Sequence, residues 1–173
     1  VWKHLQRIQN ENALPLYKVP GRGYRLAEPL SLLAEDQLLP QLEALGWELY
    51  LFDALDSTNA EALRLLSTGR APFLVVAESQ SAGRGRRGRH WVSPFGQNLY
   101  CSLAFKVHGG TRQLSGMSLV VGLAVMQTLR GMGLPHAGLK WPNDVYVDGR
   151  KIGGILLEFR IQTLKEAHEL NAL

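Results

Sequence analysis

The chain has 173 residues, 46% of them hydrophobic and 20% charged, with 19 Lys and Arg against 15 Asp and Glu. That length supports one good core, or a core with a small appendage, and no apolar run approaches the roughly 20 residues of a membrane-spanning helix. The opening Val-Trp-Lys-His-Leu lacks the pattern of a secretory signal, so a cytoplasmic location is expected, and the single Cys101 excludes an intramolecular disulfide.

Residues 1–12 put Val1, Trp2, Leu5 and Ile8 on one face of a helix and leave Lys3, His4 and Arg7 to another. This helix is already under way at Val1, so the N-terminus reads as truncated. Leu16 to Val19 and Tyr24 to Leu26, joined by Pro20-Gly21-Arg22-Gly23, read as a hairpin with a basic tip. A basic helix followed by a basic hairpin is the back half of a winged helix-turn-helix. Lys3, His4 and Arg7 would then meet the major groove and Arg22 a phosphate. The alternative is an ordinary helix and hairpin with solvated charges. Glu28-Pro29-Leu30 reads as a linker that separates a first domain, 1–28, from a second, 29–173.

In the second part, residues 31–45 predict a short helix stopped by Gly46, before a strand from Trp47 to Phe52. Asp56-Ser57-Thr58-Asn59 opens a further helix, with Thr58 and Glu61 spaced as a capping box. Ser57, Thr58 and Asn59 serve as caps, or as hydrogen-bonding groups for a neutral polar ligand. Pro72 to Ala77 predicts a buried strand that leads through Gln80 into Gly83-Arg84-Gly85-Arg86-Arg87-Gly88-Arg89. Four arginines on a backbone with three glycines suit a dense anion. With these four set aside the chain is balanced, so the basicity reads as local.

The loop satisfies G-x-G-x-x-G, but a dinucleotide turn needs a helix starting at its last glycines, and His90-Trp91-Val92-Ser93-Pro94-Phe95-Gly96 does not supply one. No Walker loop is present. Asn98 to Lys106 predicts a strand with Cys101 as a buried structural thiol. Thr111 to Met132 predicts a long apolar helix in which Gly116 and Gly122 permit close packing. Strands follow at 138–141, 144–147 and 151–158, with a tight turn at Asp148-Gly149. The fold class is α+β, a mixed or antiparallel sheet with helices packed on it.

The five histidines, His4, His90, His108, His136 and His168, are dispersed, and no Ser/His/Asp arrangement is visible. Two basic elements, the arginine loop and the hairpin bearing Lys140 and Lys151, can instead surround a triphosphate and stabilise charge developing at phosphorus. Asp144 would help hold magnesium or orient an attacking amine. Trp91 offers an aromatic surface for a base, or simply a core side chain.

Several motifs occur together and in order: Asp56-Ser57-Thr58-Asn59, Gln80 with Ala82 to Trp91, Ser93-Pro94-Phe95-Gly96, Lys140-Trp141-Pro142-Asn143-Asp144, and Gly149 to Leu156. In these the chain resembles the biotin protein ligases, and residues 1–26 resemble the recognition helix and wing of the bifunctional members that also repress transcription.

The resemblance implies a class II synthetase-like domain. In it, the carboxylate of biotin attacks the α-phosphate of ATP to give biotinyl-5′-AMP, and a lysine of a carboxylase carrier domain then attacks the mixed anhydride. It implies biotin contacts for Ser57, Thr58, Asn59, Gln80, Arg84, Gly85, Arg86, Lys151 and Gly154. Nucleotide contacts are implied for Arg86, Arg89, Trp91, Lys140, Asn143 and Asp144, with Arg86, Arg89, Asp144 and Lys151 carrying the chemistry. ATP and Mg2+ would be required, and operator DNA and a ligand-linked homodimer are implied for the bifunctional type. A family member would continue past Glu158 through another strand, a second nucleotide segment and a small β-barrel, so the chain reads as incomplete near Arg160. A DNA-binding biotin sensor without ligase activity and a lipoate ligase are the alternatives. The arginine loop is expected to be mobile without ligand.

Overall fold

The computed structural model describes residues 2–12, 14, 16–107, 114 and 116–160. Expectations for Val1, for the side chain of Ile8, for a helix beginning at Thr111, for His108 and His168 and for the tail after Arg160 lie outside them. The chain divides into two compact units, one containing the described residues of 2–84 and 90–105, the other those of 85–89 and 106–160.

In the first unit, helix α1 (Trp2–Asn12) precedes the antiparallel hairpin of β1 (Leu16–Val19) and β2 (Gly23–Leu26), paired from Leu16 with Leu26 to Val19 with Gly23. Its tip bends through Gly21 at φ 70° and Gly23 at φ 101°, a region that side chains disfavour. Trp2 stacks on Tyr24 with ring centroids 5.5 Å apart, which fastens the helix to the hairpin.

Helix α2 (Glu35–Glu43) starts later than the apolar pattern from residue 31 suggests. Leu33 is held upstream of it, its N–H donating to the buried carboxylate of Glu78, and Ala34 is extended. The predicted stop at Gly46 is present at φ 70°, with Trp47 N–H returning to Leu42 O at 2.9 Å.

Strands β3 (Glu48–Phe52), β4 (Phe73–Ala77) and β5 (Tyr100–Ala104) form a mixed sheet, β3 parallel and β5 antiparallel to the central β4. Helix α3 (Thr58–Leu66) links the two parallel strands, as a parallel pair requires. Period-two alternation turns Phe73, Val75, Ser102 and Ala104 to one face, where the fully buried Phe73 and Val75 pack with Ala62 of α3. Phe73→Ala is expected to cost about 3 to 5 kcal/mol, read as a lower denaturant midpoint, because no part of that ring is exposed.

The same alternation corrects the reading of Cys101. It lies on the opposite face and is exposed, although neighbouring groups desolvate the thiol enough to raise its pKa.

In the second unit, helix α4 (Met117–Gly131) is followed by the antiparallel sheet β6 (Gly138–Lys140), β7 (Asp144–Val147) and β8 (Arg150–Gly154). Gly122 fits its predicted role, since a Cβ there would meet Leu139 Cδ2 at 3.0 Å. Gly116 does not. It begins the helix at φ 82°, and a Cβ would meet nothing within 4 Å. The Asp148-Gly149 turn has both residues at positive φ, 49° and 74°, the geometry of a type I′ hairpin.

The strand read to residue 158 ends at Gly154, because Asn143 takes both backbone groups of Ile155. Among the described residues, the single sheet expected of the second part is two three-stranded ones, apart from the β1–β2 hairpin that was expected separately. Nor is the basicity confined to the four arginines. Among described residues the second unit has nine Lys and Arg against three Asp and Glu, and the first has eight against ten.

Candidate functional site

The start of α3 departs from the capping box predicted at Thr58. The N-cap is Ser57, extended at φ −162° and ψ 134°, and its side chain accepts from Ala60 N–H. Thr58 is already helical, and its otherwise orphaned N–H donates 2.9 Å to Gln80 Oε1, a cap supplied from 22 residues away. Glu61 turns from the helix start to Arg64, at 2.6 Å.

Gln80 thereby becomes the hub of a polar network. Its Oε1 also accepts from Thr58 Oγ1 at 3.2 Å, and its Nε2 donates to Ser93 Oγ at 3.0 Å. Ser93 in turn donates to Trp91 O at 3.2 Å. On the other side Ser102 Oγ reaches Thr58 Oγ1 at 2.9 Å and bonds Asn59 Oδ1. Thr58, Asn59 and Gln80, read from the sequence as ligand groups, thus come together with Ser93, read there only as part of the Ser93 to Gly96 motif, and with Ser102, which that reading missed. Ser102 was detectable in principle, since it is a hydroxyl at an inward-facing strand position, where apolar side chains are the rule. Tyr100 secures the neighbouring segment by donating to Pro94 O at 3.0 Å, and desolvation raises its pKa.

Beside this network an open groove of about 590 Å³ is bordered by Leu55, Asp56, Arg64, Gln80, Ser93 and Phe95; Ser57, Thr58 and Asn59 do not line it. Arg64 grips Asp56 through both carboxylate oxygens, at 2.7 and 3.1 Å. This contact, with the Ser57 N–H, lowers the carboxyl from 3.8 to about 2. A depressed carboxyl contributes stability in full above its unfolded value and loses it as pH falls through the folded one. Wild type should accordingly lose stability more steeply than Asp56→Asn between pH 4 and 2, measured by urea unfolding at each pH.

The arginine loop is a hairpin, not a helix entrance. Trp91 N–H donates to Gly83 O at 2.8 Å, Arg84 bridges His90, and Gly85 N–H donates to Arg89 O at 2.7 Å. A 3-10 turn, Arg86–Gly88, closes the end, with Arg87 at φ 58° and Gly88 at φ 70°. The absence of a following helix agrees with rejection of the dinucleotide turn. Trp91 is half-buried, and Arg84, Arg86 and Arg89 are exposed.

In the second unit one sheet face collects the predicted residues, and a β-bulge makes this so. Val145 opposes Gly153 but Tyr146 opposes Lys151, so Ile152 is the extra residue. Without it Lys151 would fall on the other side of the sheet. With it, Lys140, Asp144, Tyr146, Lys151 and Gly154 share a face, since directly opposed residues point the same way. Lys151 Nζ lies 2.8 Å from Asp144 Oδ1, and Lys140 Nζ sits 5.5 Å from the Tyr146 ring centroid. Arg86 donates 2.9 Å to Asn143 Oδ1, so two cations, Arg86 and Lys151, are held by the consecutive residues Asn143 and Asp144.

Residues 51–172 match the model of the Biotin/lipoate A/B protein ligase family. The chain is 40% identical over 161 residues to the bifunctional ligase/repressor BirA of Escherichia coli K12, covering 93% of this chain and 49% of that protein. It is 47% identical over 105 residues to the biotin--[acetyl-CoA-carboxylase] ligase of Paracoccus denitrificans, covering 60% of this chain and 43% of the relative. The chain thus spans about half the length of the curated relatives it matches. Among solved structures, the Helicobacter pylori biotin acetyl coenzyme A carboxylase synthetase with bound biotinylated ATP superposes with a TM-score of 0.56 at 34% identity. That match covers 65% of this chain and 55% of the other. With its motifs, its α+β fold and a family match over most of its length in agreement, the chain belongs to the biotin/lipoate A/B protein ligase family.

Proposed function

We propose that this chain forms the adenylating part of a biotin protein ligase. The observation that carries the reading is the pairing of Arg86 and Lys151 with Asn143 and Asp144 in one unit. A carboxylate and a triphosphate repel each other, and two cations on fixed partners offset that repulsion. In the reaction a carboxylate oxygen of biotin attacks the α-phosphorus of ATP and pyrophosphate leaves. The amine of a carrier-domain lysine then attacks the acyl carbon, AMP leaves and the amine loses a proton.

Lys151 and Arg86 would hold the biotin carboxylate and the activated phosphate, with Arg89, Lys140, Trp91 and Asp144 serving the nucleotide. Ser57, Thr58, Asn59 and Gln80 would receive the ureido ring, the Gln80 network exchanging internal bonds for bonds to the ligand. Arg84, Gly85 and Gly154 would approach biotin closely. For magnesium, no group of three or more His, Cys, Asp or Glu suited to a metal occurs among the described residues, and Asp144 is already engaged by Lys151. The ion would enter as a complex with the ATP phosphates, and Asp144, once released by Lys151, would be a carboxylate to meet it.

Incubation of the whole protein with ATP and either biotin or lipoate tests the reading, by pyrophosphate release. Release with biotin is expected. Release with lipoate alone transfers the assignment to a lipoate ligase, and release with neither removes both.

A DNA-binding role has its own support. The alignment with the bifunctional relative leaves about a dozen residues of this chain outside it, so it includes the hairpin β1–β2. Lys3, His4, Arg7 and Arg22 are all exposed on α1 and the hairpin tip. Retardation of operator DNA that deepens with biotinyl-AMP and weakens steeply with salt would mark a repressor. A cytoplasmic location and a ligand-linked dimer complete the proposal. No described helix is long and apolar enough to cross a membrane.

A further inference from the structure

Asn143 entered as a nucleotide contact, but its side chain is already occupied in a way that suggests a different task. Oδ1 accepts from Arg86 Nη1 at 2.9 Å, and Nδ2 donates to Ile155 O at 2.9 Å. Its backbone carbonyl accepts from Ile155 N–H at 2.8 Å. The amide is therefore clamped on the end of β8 and presents one oxygen to an arginine 57 residues away.

That arginine sits at the start of the 3-10 turn, beside residues at positive φ, where four guanidinium groups repel one another. Such a loop needs an acceptor on the body of the unit if it is to hold one arrangement. A neutral amide oxygen suits the purpose, since it fixes the guanidinium without cancelling the charge a phosphate needs. The adjoining Asp144 does the opposite to Lys151 until an anion displaces it.

We infer that Asn143 is a positioning residue that latches the arginine loop through Arg86 and makes no contact with the nucleotide itself. The inference rests on the ligase reading for its effect on rate, though not for the latch.

Two substitutions separate the alternatives, because both lose the donor to Ile155 O. Asn143→Asp keeps an acceptor for Arg86, and Asn143→Ala does not. For the latch, Asn143→Ala should lower kcat for pyrophosphate release about tenfold or more, whereas Asn143→Asp should hold kcat within about threefold of wild type and raise KM for ATP, since its carboxylate offsets the charge on Arg86. If Asn143 touched the triphosphate instead of latching the loop, Asn143→Ala would raise KM for ATP with kcat unchanged, and the inference would fall. Equal losses in both variants, tracking equal falls in melting temperature, would also overturn it, since they would assign the whole effect to Ile155.

Trypsin cleavage at Arg86, Arg87 and Arg89 without substrates supplies a readout independent of activity. Cleavage several times faster in Asn143→Ala than in wild type and Asn143→Asp supports the latch; equal rates in all three refute it. Should wild type show no biotin-dependent pyrophosphate release, the ligase reading fails while the proteolysis still decides the latch.

Discussion

Replacing Lys151 with alanine is expected to lower biotin- and ATP-dependent pyrophosphate release by roughly a thousandfold, the scale of losing a preorganised electrostatic group at a reacting centre. The fold should scarcely register the change. The Lys151–Asp144 pair is partly exposed, 34% and 26% at the side chains, and such pairs contribute no more than about 1 kcal/mol. The melting temperature should therefore fall by only a few degrees while activity nearly vanishes. Lys151→Arg should recover a minor part of the rate, since the charge survives but a planar fork replaces a compact ammonium. Activity of Lys151→Ala within threefold of wild type would remove Lys151 from the reaction.

Gly83→Ala is expected to raise the KM for biotin by about tenfold to a hundredfold. A Cβ at Gly83 would stand 2.5 Å from Trp91 O, 2.8 Å from Ser93 Oγ and 3.2 Å from Gln80 Nε2. The first of these is backbone and cannot swing aside, so the ladder between Gly83 and Trp91 must open. Relieving such overpacking costs about 1 to 3 kcal/mol. The disturbance falls on the bond by which Ser93 orients Gln80, and through Gln80 on Thr58. Gly88→Ala makes the control, because a Cβ there meets nothing within 4 Å and only its φ of 70° is strained. That variant should lose a little stability and keep its biotin KM. Equal KM effects at the two glycines would show that loop flexibility, rather than the Gln80 network, governs biotin binding.

What the sequence made legible was local. Asp148-Gly149 announced its turn, Gly46 its helix stop, and Pro94 with Gly96 the missing helix after the arginine loop, because in each case the backbone preference of a few neighbouring residues decides the outcome. The candidate site was legible as a set of residues but not as an arrangement. Thr58 looked like its own helix cap; the real cap is Ser57, and a side chain 22 residues downstream serves Thr58 N–H. Ser102 showed in the alternation only as a hydroxyl facing inward, and neither its partners nor those of Ser93 leave a mark in periodicity. The bulge at Ile152 is similarly silent, since a period-two pattern reveals a face but not an inserted residue that shifts its phase. The single sheet failed for a related reason: strand propensity counts strands but does not say which edges meet.

The uneven partition of charge bears on how substrates arrive. Nine cationic side chains against three anionic ones in the described second unit surround it with a field that reaches about 10 Å at 0.1 M salt. A polyanion diffusing past is captured and oriented before any specific bond forms, while a weakly charged acid gains far less from the same field. If the chain works as the proposed ligase, added salt should slow the encounter with nucleotide more than that with biotin, and ionic strength would then decide which of the two limits turnover when both are dilute.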